Sequence, residues 1–97
     1  MEDIICKVEQ WHIDRNLIKG STDKSQVLKL MQELGELSDS VCKDECLLDD
    51  IGDILVILIN ICTRNNVTLE DCLLTAYRDI KDRKGKMVDG VFVKDAN

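Results

Sequence analysis

Ninety-seven residues make one domain and leave no room for a second, so a single unit over 1–97 is expected. A net charge of −6, from 13 basic against 19 acidic side chains, argues against a nucleic-acid surface, which needs clustered lysine and arginine. Five cysteines without a framework spacing, and an acidic start with no long apolar run, MEDIICKVEQ, argue against a disulfide-stapled secreted domain and a signal peptide; a soluble cytoplasmic protein is the expectation.

Apolar groups at Ile4, Ile5, Val8 and Trp11 recur at helical steps, and a first helix is predicted over 2–17. Gly20-Ser21-Thr22-Asp23 breaks the chain and offers N-caps. From Lys24 to Cys42, Val27, Leu30, Leu34, Leu37 and Val41 recur at steps of three and four, the seam expected of a packed bundle helix. After a polar link at Lys43–Cys46, a third helix is predicted from about Leu47 to Asn65. Its run ILVILINIC is rich in β-branched residues, but its length and the lack of a strand partner favour a helix. Such a rod, apolar all round, needs more cover than a four-helix protomer of this size supplies, so oligomerisation is expected.

Thr68 and Asp71 form a capping box, with Asp in place of Glu, for a fourth helix reaching about Arg83. Leu69, Leu73, Ala76, Tyr77 and Ile80 are its expected inner face. In the tail MVDGVFV, Asp89-Gly90 signals a turn, and an extended or hairpin-like segment held by neighbours is expected. The predicted fold class is thus all-α, a four-helix bundle-like protomer with a short C-terminal tail.

Two acidic pairs stand out, Glu33/Glu36 and Asp50/Asp53, each three residues apart on consecutive helices. That spacing puts each pair on one helical face, and an antiparallel arrangement would bring four carboxylates together. Asp50, Asp53 and Asn60 form a polar stripe on an otherwise apolar helix. The helix dipole accounts for acids in the first turn better than for Asp53, one turn in. Oxygen-only ligands favour a hard cation, Mg²⁺ first and Mn²⁺ as the alternative. Cys42 and Cys46 lack the companions of a zinc site, and the cysteines read as small buried apolar groups.

The E-x-x-E pattern, a spacer, then an acid-x-x-D on the next helix resembles the all-α nucleoside triphosphate pyrophosphohydrolases, the MazG-like family with its dCTPase and dimeric dUTPase relatives. The similarity runs from WHIDR near the start to RKGK near the end. The family motif has Glu where this chain has Asp50, whose shorter side chain leaves direct or water-mediated metal binding open. The resemblance implies metal-dependent cleavage of a (d)NTP to (d)NMP and pyrophosphate, a nucleotide-pool housecleaning activity. It also implies a homo-oligomer, a tetramer before a dimer.

Glu33, Glu36, Asp50 and Asp53 are the candidate metal ligands, and either Glu33 or Glu36 is the candidate activator of water. Trp11 reads as a base-stacking ring or as the largest core residue; the family's use of its N-terminal helix around the nucleoside favours the former. Arg15, one turn on, would reach base or phosphate. Asn60 would read base or sugar, or bridge two helices as a buried amide. His12 reads as a surface residue and Tyr77 as core. Lys81, Arg83, Lys84 and Lys86 form the one basic concentration, suited to phosphates or to a helix C-terminus. If Lys84 and Lys86 embrace the triphosphate, the tail folds over the site; otherwise Val91, Phe92 and Val93 anchor a subunit interface. A non-catalytic helical interaction module is the alternative function. A di-iron bundle is disfavoured because no Glu-x-x-His occurs.

Overall fold

Short-range chemistry sets the ends of the elements. The computed structural model describes residues 2–96 and contains α1 (Glu2–Asp14), α2 (Asp23–Cys42), α3 (Leu48–Arg64), α4 (Leu69–Ile80), β1 (Gly85–Val88) and β2 (Val91–Lys94). Helix α1 stops three residues before the predicted end. Asn16 adopts a left-handed conformation (φ 58°), and the Leu17 N–H donates back to the His12 carbonyl at 2.9 Å, closing the last turn.

Thr22 caps α2: its hydroxyl accepts from the Ser25 N–H at 3.1 Å while the Ser25 hydroxyl accepts from the Thr22 N–H at 3.2 Å. Thr68 and Asp71 cap α4 in the same reciprocal way, at 3.0 and 3.3 Å. Helix α4 ends at Ile80 rather than near Arg83. The tail is a true hairpin, with Val88 opposite Val91 and Gly85 opposite Lys94. Asp89 (φ 49°) and Gly90 (φ 80°) both take the left-handed conformation that a two-residue turn between right-twisted strands requires.

Helix α3 is the hub on which α1, α2 and α4 each pack. It runs antiparallel to α2: Asp53, near its start, approaches Glu33 and Glu36, while Arg64 at its end donates from Nε to Asp23 Oδ1 at 2.9 Å. Arg64 also donates to the Ile18 carbonyl, tying down the loop between α1 and α2. Ile57, Ile59 and Cys62 are the buried apolar residues of the core; burying each isoleucine contributes about 1.5–3 kcal/mol.

The helices do not enclose a full bundle core. The accessible surface is 7712 Å² for 11.0 kDa, against about 5,600 Å² for a compact monomer of that mass, an excess of about 2,100 Å². The radius of gyration is 16.2 Å, where about 12.5 Å is usual at this length. The expected seam of α2 is split: Leu30 and Leu37 are half-buried, whereas Val27, Leu34 and Val41 are exposed. The expected inner face of α4 is also open, with Leu73, Ala76, Tyr77 and Ile80 exposed, so Tyr77 is not a core residue. Periodicity correctly marked these stripes as apolar; among the described residues nothing covers them. Among the described residues the hairpin packs on no helix, so the tail does not fold over the acidic residues of its own chain.

No helix of the described residues is long and apolar enough to cross a membrane.

Candidate metal centre

The antiparallel pairing of α2 and α3 turns one acidic pair toward the other. Glu33, Glu36 and Asp53 each offer a carboxylate oxygen, and these atoms lie within 4.8 Å of one another; among the described residues no other group of three acids, histidines or cysteines converges in this way. Asp50 is not part of the trio, which corrects the expectation of four converging ligands. Three residues along α3 correspond to about 300° of rotation, and the α2–α3 crossing selects Asp53. Asp50 is half-buried, and its charge still acts on both Glu36 and Asp53.

The electrostatics of the trio are unfavourable without a cation. Glu33 is only 7% exposed, and its Oε2 is buried with no hydrogen-bond partner. A buried carboxylate oxygen in that state costs free energy. The neighbouring Glu33 carboxyl, by hydrogen bonding and like charge, holds the Glu36 carboxyl above its ordinary value of 4.5. Burial pushes Asp53 above its ordinary 3.8, and Asp49, Glu33 and Asp50 add to the effect. An orphaned buried oxygen beside two carboxyls raised by mutual repulsion and burial is an all-oxygen donor set that a hard divalent cation fits.

A cleft of about 460 Å³ opens beside the trio, lined by Lys7, Val8, Trp11, Asp53 and Val56. Asp53 belongs to both. Trp11 is 42% exposed and forms a wall of the cleft, so it is not a core residue. The Arg15 guanidinium lies 4.6 Å from the Trp11 ring centroid, placing a cation over one face of the indole. Lys7, Val8 and Val56 were not among the site residues expected from the sequence. The signal was available: Lys7 and Val8 precede Trp11 by four and three residues, and Val56 follows Asp53 by three, so each shares a helical face with a candidate.

Asn60 and His12 have the opposite character. Asn60 is fully buried and His12 is 2% exposed, so the expectation of a surface histidine fails. His12 Nε2 lies 2.9 Å from the Val56 carbonyl, which only accepts; Nε2 therefore carries the proton, and Nδ1 accepts from Asn60 Nδ2 at 3.2 Å. Asn60 Nδ2 also donates to the Leu17 carbonyl at 3.1 Å. Asn60 thus bridges α1 and α3 as a buried amide and does not line the cleft. Its replacement by Ala should cost about 2–3 kcal/mol in urea unfolding, because His12 loses its donor and a cavity is left.

The basic concentration lies elsewhere. Lys81, Arg83 and Lys84 do not line the cleft. Arg83 and Lys84 border a hollow at the base of the hairpin with Asp82, Lys94 and Asp95, and Arg83 pairs with Asp79 at 3.1 Å. Lys81 and Lys86 are exposed. Among the described residues all five cysteines are free, and only Cys62 is buried; Cys6, Cys42, Cys46 and Cys72 are exposed, contrary to the expectation of buried thiols. Cys62 lies 3.8 Å from Cys72, and its thiol is pushed up to about 11, chiefly by burial and then by that neighbour.

No protein-family model matches the chain, and no solved structure matches it. Over 69 residues, 69% of this chain, it is 38% identical to an "uncharacterized 18.2 kDa protein in rep-hol intergenic region" of Haemophilus phage HP1. The chain spans 42% of that relative's length. The relative's description names no activity.

Proposed function

We propose that this chain is a divalent-metal-dependent nucleoside triphosphate pyrophosphohydrolase, acting as a homo-oligomer on (d)NTP to release (d)NMP and pyrophosphate. The observation that carries the reading is the convergence of the Glu33, Glu36 and Asp53 carboxylates, one of them, Glu33, holding a buried oxygen without a hydrogen-bond partner, with Asp53 shared by the Trp11 cleft. The acidic pattern's resemblance to the MazG-like family supplies the reaction class.

Glu33, Glu36 and Asp53 would hold Mg²⁺ or Mn²⁺, with Asp50 adding charge from the preceding turn. A bound ion of this kind neutralises phosphate oxygens and acidifies water. Glu33, buried and poorly placed to exchange protons with solvent, serves as a ligand. Glu36, the exposed member of the trio, is the better placed to take a proton from the attacking water. Trp11 gives the cleft an aromatic wall for a nucleobase, and Lys7 and Arg15 bring positive charge to its rim.

The deciding experiment is a panel of canonical and modified nucleoside triphosphates with Mg²⁺, followed for pyrophosphate and monophosphate together. Equal release of both on at least one substrate, abolished by EDTA, is expected. Orthophosphate release, or no turnover on any member, would overturn the reading. The open apolar faces of α2 and α4 also suit a non-catalytic helical interaction module. Such a module has no use for a metal, and calorimetry with Mg²⁺ separates the two.

A further inference from the structure

One positive group stands with the three carboxylates. Lys29 lies one turn before Glu33 on α2, with Nζ 3.6 Å from Glu33 Oε1. The lysine side chain is 57% exposed and that of Glu33 only 9%, so the ammonium stays in water while its charge acts on a buried carboxylate. Its charge also reaches Glu36 and Asp53, where it opposes the surrounding acids. At 3.6 Å the contact is longer than a hydrogen bond, and Glu33 Oε2 still lacks a partner. The compensation is therefore partial and the hold on Lys29 is weak.

Helix chemistry alone does not account for this pair. Three other ion pairs span four residues on one helix or its end, Asp3 with Lys7, Asp39 with Lys43 and Asp79 with Arg83. All three put the acid first, the order that agrees with the helix dipole. Lys29 and Glu33 are reversed, the less favourable order. The position of Lys29 is better explained by the acidic cluster than by α2.

We propose that Lys29 is the built-in counter-ion of the metal-free centre, and that a divalent cation displaces it on entering between Glu33, Glu36 and Asp53. The inference rests on the metal reading above. Four methylenes and an exposed head group let Lys29 swing out without repacking. While it remains near, its charge opposes the incoming cation, so Lys29 sets the metal affinity of the site below what the carboxylates alone would give.

The test is calorimetric titration of Mn²⁺ into the EDTA-stripped full chain, for wild type, Lys29→Gln and Lys29→Arg, at low and high NaCl. Lys29→Gln should bind Mn²⁺ about ten-fold more tightly than wild type at low salt, with the gap narrowing at high salt, while Lys29→Arg stays near wild type. Melting curves should agree: without metal Lys29→Gln melts below wild type, and Mn²⁺ raises its Tm by more. A wild type that binds Mn²⁺ while Lys29→Gln binds it no more tightly overturns this inference alone. A wild type that binds none overturns the metal reading and this inference with it.

Discussion

Glu33→Gln should lower magnesium-dependent turnover by about a hundred-fold or more while leaving the helical content of the chain unchanged. The substitution keeps the shape of the one deeply buried ligand and removes its charge. Asp53→Asn should act in the same direction, since Asp53 joins the trio to the cleft. Near-normal activity in either variant would refute the site.

The same variant has a second readout in its stability without metal. In wild type the folded-state values of Glu36 and Asp53 lie above the ordinary 4.5 and 3.8. A carboxyl raised in this way contributes stability that is fully present below its unfolded value and lost as pH rises through its folded value. Metal-free wild type should therefore carry a charge-repulsion penalty at neutral pH that it lacks below the ordinary Asp53 value of 3.8. Glu33→Gln removes the charge that acts on both groups, so melts in EDTA should show the variant gaining on wild type as pH rises. A difference that stays constant with pH would show that the trio is not electrostatically coupled.

Met31→Glu should dissociate the protein, raising the self-association Kd by about a hundred-fold or more, read by light scattering at micromolar concentration. On α2, Val27, Met31, Leu34 and Val41 fall at helical steps and are 45–62% exposed. On the antiparallel α3, Leu48, Ile51 and Leu55 form a second stripe, between 41 and 83% exposed. An excess surface of about 2,100 Å² per protomer is of the size buried in obligate homo-oligomers. A carboxylate placed in such an interface would have to shed its water without a partner. Met31 is off the buried side of α2 that carries Glu33, so metal binding by the dissociated variant should survive. A wild type that is monomeric at micromolar concentration would overturn the self-association part of the proposal.

The sequence by itself determined what depends on neighbours a few residues apart. Thr22 and the Thr68/Asp71 box start α2 and α4, Asp89-Gly90 makes the hairpin turn, and the three-residue spacing puts Glu33 and Glu36 on one face, because each of these is a local conformational preference. Tertiary structure alone decided the rotation of each helix against its neighbours. Asp50 and Asp53 are equivalent in pattern, yet the α2–α3 crossing brings only Asp53 into the trio. His12 and Trp11 are adjacent in the chain, yet one is buried against Val56 and Asn60 while the other walls a cleft. The apolar stripe of α4 was legible, but its exposure was not. Periodicity reports that a face is apolar; what covers it depends on packing between segments distant in sequence, and for α2 and α4 the protomer leaves that cover to another chain, as we propose.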